Sequence, residues 1–417
     1  MTPEVKERIE QIRHGIVPEG YKKTAAGIIP NDWQCSAICD CLKVKNSERK
    51  PISEEVRKNI PGPYPYYGPT QAQGYIDSYV SEGPAVLIGE DGDHFLKYKS
   101  KPMTLFVDGK YTVNNHAHMV VGTEKCGTKW FFYAYQHKSL LNAITRQGAG
   151  RFKLTKEALE KLLVQYPSLG EQEKIIDVIA VQDKTIELKE KLLLEKQRQK
   201  KYLMQQLLTG KKRLLGFEEK WHYVPLGKIS KKQKQKNKQF AYSLVLSNSA
   251  QHGILPQTEQ FDKEIANEER IDGYYIVHDG FFVYNPRISV TAPCGPINRN
   301  ETGKTGVMSP LYTVFSVESE LLDKDFLKQY FGSTCWHRHM KSVANYGARH
   351  DRMSISDEDF FLMPIPVPSV NEQHAITNVL NAADREIELL RQNLEQEKQK
   401  KKALMQLLLT GIVRVNT

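Results

Sequence analysis

The sequence has no long hydrophobic run. No stretch approaches the roughly 18 consecutive apolar residues of a membrane-spanning helix, and the opening MTPEVKERIEQIRHG lacks the apolar core of a secretory signal. The expected setting is cytoplasmic, with no membrane partner. Cysteine is scarce and scattered, six in 417 residues, which argues against a disulfide framework. Cys35, Cys39 and Cys41 cluster, but no second Cys or His pair follows at zinc spacing. Acidic residues are outnumbered, 49 Asp+Glu against 59 Lys+Arg, leaving a net charge of +10. That balance favours an anionic partner, whether nucleic acid, acidic protein or membrane surface.

Catalytic machinery is missing as well. Tyr284-Asn285-Pro286-Arg287 lacks the second proline and the aromatic of the Asn-Pro-Pro-aromatic methyltransferase motif, and no Gly-rich methyl-donor turn accompanies it. Asn300-Glu301-Thr302-Gly303-Lys304-Thr305 is close to a phosphate-binding loop, but Asn298 stands where its first glycine belongs. Asp93 with Asp108-Gly109-Lys110 fits a nuclease pattern less well than a turn. His116 and His118 lie two apart without a third metal ligand. There is no Gly-x-Ser-x-Gly elbow and no papain-like cysteine context. No catalytic, cofactor-binding or metal residue is expected in this chain.

What the sequence does contain is a duplication. Tyr166 to Gly210 aligns without a gap on Val367 to Gly411 at an offset of 201 residues. Pro167-Ser168 pairs with Pro368-Ser369, Glu171-Gln172 with Glu372-Gln373, Asp183 with Asp384, and Thr209-Gly210 with Thr410-Gly411. Pro-Ser before acids starts a helix, and the closing glycine suits its C-cap. About 38 residues without Pro or Gly predict a helix of roughly 57 Å. The second copy places Ile376, Leu380, Ala383, Ile387, Leu390 and Leu394 at alternating spacings of 4 and 3, with Leu404 and Leu408 continuing. The first copy keeps Ile175, Ile179, Ile186, Leu193, Leu203 and Leu207, but sets Gln182, Lys189, Lys196 and Lys200 on the seam. Such spacing predicts coiled-coil pairing, and the simplest partner for one copy is the other.

The duplication is circular. Gly20-Tyr21-Lys22-Lys23 leading to Trp33 is similar in kind to Gly210-Lys211-Lys212-Arg213 leading to Trp221. The first of these supplies the connector that does not follow Gly411. The division is then residues 1–32 N-terminal connector, 33–165 first variable domain, 166–210 repeated helix, 211–220 connector, 221–364 second variable domain, 365–411 repeated helix, and 412–417 tail. Residues 1–19 read as a charged helix. Both variable domains read as mixed, with short strands punctuated by Gly and Pro and a few helices, near 129–142 and 155–163 in the first. TLFVDGKYTVNNHAHMVVG carries an Asp-Gly hairpin signal. The fold class is α+β: two mixed α/β domains joined by two long helices in an antiparallel coiled coil, pseudo-two-fold and circularly arranged. The two domains match poorly in sequence although they occupy equivalent slots, so one scaffold carries two different readers.

The twice-written Pro-Ser-x-x-Glu-Gln-x-x-Ile opening a long helix resembles the repeated regions of type I restriction–modification specificity subunits. GYKKTAAGIIPNDW, YPYYGPTQAQGYIDSY, LIGEDGDHF and NNHAHMVVG resemble that family and its target recognition domains. The resemblance implies that each variable domain reads half of a split site in double-stranded DNA, while the helices set the gap and dock two methylation subunits. It also implies that S-adenosylmethionine, ATP and magnesium belong to the methylation and restriction/translocase partners. Basic residues interleaved with aromatics and amides are the expected DNA contacts. They are Tyr67, Lys97, Lys99, Asn114, Asn115 and His116 in the first domain, and Lys232, Asn285, Arg287, Ser289, Tyr346, Arg349 and His350 in the second. The rivals are a coiled-coil protein scaffold and a self-sufficient enzyme.

Overall fold

The computed structural model describes residues 2–147, 151–260, 268–345 and 351–415, in two compact units, Met1–Lys189 with Asn393–Thr417, and Glu190–Gln392. Two helices of 39 residues, Leu169–Leu207 and Val370–Leu408, contribute to both. Each begins just after its Pro-Ser. Each is stopped by glycine in the left-handed region, Gly210 at φ +68° and Gly411 at φ +72°. Among the described residues no helix is long and apolar enough to cross a membrane.

In the first unit, an N-terminal helix Pro3–Arg13 precedes a hairpin, Tyr21–Thr24 with Gly27–Pro30. Gln34–Ala37 pairs with Leu163–Tyr166, which feeds directly into the first long helix. A four-stranded antiparallel sheet runs in the order Lys43–Val44, Ala117–Val121, Ala85–Gly89, Thr104–Val107. Strand alternation splits its side chains between two cores. Val86, Ile88 and Val120 face a core with Trp33, Trp130, Phe131, Ile175 and Ile179. Ala85, Leu87 and Met119 face a second β layer through Tyr111 and Val113. That layer orders Ala72–Ile76, Pro61–Tyr67, Lys110–Val113 and Ser81–Glu82. The helix Thr128–Tyr135 overlaps the first half of the first expected helical stretch, starting one residue before it, and Lys156–Glu160 falls inside the second.

One expectation fails here. Asp108-Gly109 does form a turn, with Gly109 at φ +81° and its N–H donating to Asp108 Oδ1. Yet the flanking strands do not pair with each other. Thr104–Val107 joins Ala85–Gly89, while Lys110–Val113 joins Pro61–Tyr67 in parallel and Ser81–Glu82. The turn passes the chain from one β layer to the other, a choice set by which core each strand buries.

The second unit repeats the plan with different residues. His222–Pro225 pairs with Pro364–Val367, which feeds the second long helix. Its four-stranded sheet orders Ser230–Lys232, Thr313–Val317, Phe282–Tyr284, Ile297–Arg299, all antiparallel. The order matches the first unit strand for strand. Phe282, Tyr284, Phe315 and Val317 face a core with Phe326, Trp336, Ile376 and Leu380. Val283 and Val314 face a second layer through Leu246, Val277 and Met308.

The coiled-coil reading is extended by these cores. Met405 and Leu408 lie in the first unit's core beside Trp33, and Leu404 packs against it. Met204, Leu207 and Leu208 occupy the same place in the second unit, with Leu203 packed against them. The helix ends therefore close domain cores as well as a helical seam. Ile387 and Leu394 are buried, while Ile186, Leu193 and Leu390 are half-buried along the middle. There the polar seam has partners. In the first unit Gln182 Nε2 donates to Glu397 Oε2 at 2.7 Å, Lys189 Nζ to Glu397 Oε1 at 2.7 Å, and Lys189 also reaches Asn393. In the second, Lys196 pairs with Glu386 at 2.7 Å and Lys200 with Asp384 at 2.5 Å. In each unit rising numbers on one helix meet falling numbers on the other, so the segments run antiparallel.

Candidate nucleic-acid interface

In the first unit Tyr67, Asn114, Asn115 and His116 gather where strands of the second β layer end. Tyr67 closes Pro61–Tyr67, and its carbonyl accepts from Asn114 N at 2.9 Å. Asn114 was expected to read bases, but it is 5% exposed. Its Nδ2 donates to Gln73 Oε1 at 3.2 Å and its Oδ1 accepts from His116 N at 2.9 Å. The side chain braces the loop, an Asx turn, and the loop presents Asn115 and His116. His116 Nδ1 lies 2.9 Å from Asp91 Oδ2. His118 faces inward, Nε2 2.7 Å from Leu154 O and Nδ1 2.8 Å from Asn46 Nδ2, and burial pushes its pKa down. The two histidines therefore serve separate hydrogen-bond networks. Among the described residues no three His, Cys, Asp or Glu side chains are placed to hold a metal.

Sequence reasoning missed the hub of this loop cluster. Glu90 follows the strand Ala85–Gly89 and takes Arg49 Nη1 at 2.6 Å and Lys153 Nζ at 3.6 Å. The same Arg49 nitrogen donates to Asn115 O at 3.0 Å. Only the strand-end position of Glu90 in GEDGDH hinted at this. Lys97 and Lys99 are exposed, at the end of the turn Asp93–Lys97 and just beyond it, with no ion-pair partner among the described residues. The ring of Tyr67 lies 6.0 Å edge-on from Tyr111, and burial raises its pKa.

In the second unit Asn285 follows Phe282–Tyr284, the strand equivalent to Ala85–Gly89. Its Oδ1 accepts from Arg287 N at 3.0 Å and its Nδ2 donates to Asn248 O at 3.1 Å. Asn248 Oδ1 in turn accepts from Asn298 Nδ2 at 2.7 Å. This amide chain fixes the loop and leaves the Arg287 side chain exposed. Arg287 pairs through its backbone with Arg352, a residue the sequence reading passed over. Ser289 is exposed and caps a turn, accepting from Ala292 N at 3.1 Å. Lys232 is not a free cation, because its ammonium is paired with Asp357. Tyr346, Arg349 and His350 lie outside the described residues.

The helical frame beneath these loops repeats its main polar contacts. Buried Glu171 takes Arg414, and buried Glu372 takes Arg213, each through both oxygens. Gln172 Nε2 donates to Lys125 O and Pro167 O, and Gln373 Nε2 to Leu321 O and Pro368 O. Lys401 meets Asp183 at 2.6 Å as Lys200 meets Asp384. Gly411 lies against Trp33 and Gly210 against Trp221, so both connectors close alike. The molecule is thus of the class in which one repeated helical frame carries two domains of common topology and unlike loops.

Residues 30–196 match the family model of the type I restriction modification DNA specificity domain. A Haemophilus influenzae protein named as a type I restriction enzyme specificity subunit is 30% identical over 148 residues, 36% of each chain. The type I restriction enzyme MjaVIII specificity subunit of Methanocaldococcus jannaschii is 23% identical over 423 residues, covering 95% of this chain and 96% of that one. The crystal structure of a type I restriction–modification S subunit from M. genitalium shares the fold at 13% identity and a TM-score of 0.52, covering 92% of this chain and 97% of that one. Over residues 30–196 the chain is similar to the type I restriction–modification specificity family, and over almost its whole length it aligns with the MjaVIII specificity subunit.

Proposed function

We propose that this chain is the DNA-reading, non-catalytic subunit of a cytoplasmic type I restriction–modification complex. Each domain reads one half of a split duplex site through its strand-end loops. The paired helices set the gap between half-sites and dock two methylation subunits, to which restriction/translocase subunits can be added. In this reading S-adenosylmethionine, ATP and magnesium serve those partners. The carrying observation is the identical strand order of two domains whose loops differ residue by residue, Glu90-Asp91 standing where the other has Asn285-Pro286. Common topology with divergent loops fits two readers of different sequences better than two copies of one protein-binding module. Arginine, histidine and amide side chains at those tips suit phosphate and base-edge contacts.

The test is selection from a random duplex library by the chain assembled with its methylation subunits. Two short defined words at one fixed gap are expected. Enrichment without sequence preference would favour the scaffold reading.

A further inference from the structure

We infer that the loop Gln233–Tyr242 is a second DNA contact of the second domain, a sequence-independent clamp on duplex flanking its half-site; the inference rests on the DNA-reading function proposed above. The loop leaves the strand Ser230–Lys232 at Gln233, whose N–H donates to Val314 O, two residues from Tyr312, which precedes Thr313–Val317 where that strand pairs with the end of Phe282–Tyr284. It then carries Lys234, Lys236 and Lys238, all exposed and without an ion-pair partner among the described residues. Its tip holds Gln239 at φ +62° and Phe240 at φ +53°, the two non-glycine residues with positive φ among those described. L-residues adopt that conformation only where surrounding structure imposes it.

The imposing group is Asn237, fully buried in the loop's base. Its Nδ2 donates to Tyr242 O at 2.8 Å, its Oδ1 accepts from Tyr242 N at 3.0 Å, and its own N–H donates to Tyr274 O at 2.9 Å. The brace holds Phe240 out, 54% exposed, two residues beyond the last of the three lysines rather than letting it fold onto a core. An exposed phenyl ring at the end of a row of three unpaired ammonium groups matches the sugar and base faces of a groove lined by phosphates. The same composition also suits an anionic lipid surface. Duplex DNA is favoured because Gln233 joins the loop directly to the strand ends that carry Arg287 and Tyr312.

The experiment measures affinity and its salt dependence for the full chain assembled with its methylation subunits, on duplex carrying the selected split site. Phe240→Ala should bind roughly tenfold more weakly, and Phe240→Trp should restore binding. The triple change K234Q/K236Q/K238Q should lower the slope of log affinity against log salt by about 2–3. The selected sequence should stay the same in all three. Wild-type affinity and slope in both Phe240→Ala and the triple variant would overturn the clamp while leaving sequence reading intact. Unchanged DNA binding with lost binding to phosphatidylserine vesicles would assign the loop to membrane and overturn it too. A wild-type complex with no sequence preference would instead remove the function on which the inference rests.

Discussion

Arg414 holds Glu171 through Nε to Oε1 at 2.6 Å and Nη2 to Oε2 at 2.7 Å, across 243 residues of chain. Arg213 holds Glu372 in the same manner at the position 201 residues away in each case. Both carboxylates are buried, and each pair ties the segment just past one long helix to the first turn of the other. Circular repetition thereby becomes a physical latch in each unit.

Breaking a latch from one side leaves a buried carboxylate without its cation. Arg213→Ala should destabilise the second unit by about 3–5 kcal/mol, while the double variant with Glu372→Gln should recover part of that loss. Denaturant unfolding followed by the fluorescence of Trp221 and Trp336 would measure both. Equal stability of the single variant and the wild type would mean the pair does not hold the connector.

The loops proposed to read bases should act independently. Arg287→Ala should weaken binding by about 1–3 kcal/mol and relax one base position in one half-site, and His116→Ala should relax the other half-site. Site selection with each variant complex distinguishes the two. Asn114→Ala should behave differently: its buried amide shapes the loop, so it should lower the domain's stability and blur several positions together.

Burial depresses the pKa of His118, so the unfolded chain binds a proton more readily than the folded one. Its contribution to stability is complete above the ordinary value of 6.5 and declines as pH falls below it. The first unit should lose stability between about pH 7 and 5, and His118→Gln should flatten that dependence. Thermal melts across this range check the sign; stability rising as pH falls would contradict it.

The helical frame was legible in the sequence because repetition is a signal independent of packing. The offset of 201 residues, the Pro-Ser starts and the glycine stops all correspond to observed structure. The polar seam was not explicable, because Lys189 and Gln182 find Glu397 only when the helices pair antiparallel. The domains were legible as mixed but not in their strand pairing. Asp108-Gly109 carries a local hairpin signal, and burial of Val107 and Val113 on opposite sides of one core decided otherwise. Among the expected contacts, residue type identified Arg287 and His116 as exposed tips, but could not separate them from Asn114 and Lys232, whose partners lie 41 and 125 residues away.

Spacing offers a further check on the frame. Inserting four residues near Glu190 adds about 6 Å of helix, nearly two base-pair steps of 3.4 Å. The preferred gap between half-sites should lengthen by one to two base pairs. An unchanged gap would mean that the helices do not set the distance.

A chain that dictates a split DNA sequence to partner enzymes leaves its mark on cellular DNA. Base-resolved methylation maps of cells with and without the chain test it most directly. A bipartite methylated motif is expected, two short words at a constant gap, that vanishes when the chain is removed and changes in one word only when residues 221–364 are exchanged. Methylation patterns that stay the same with and without the chain would contradict it.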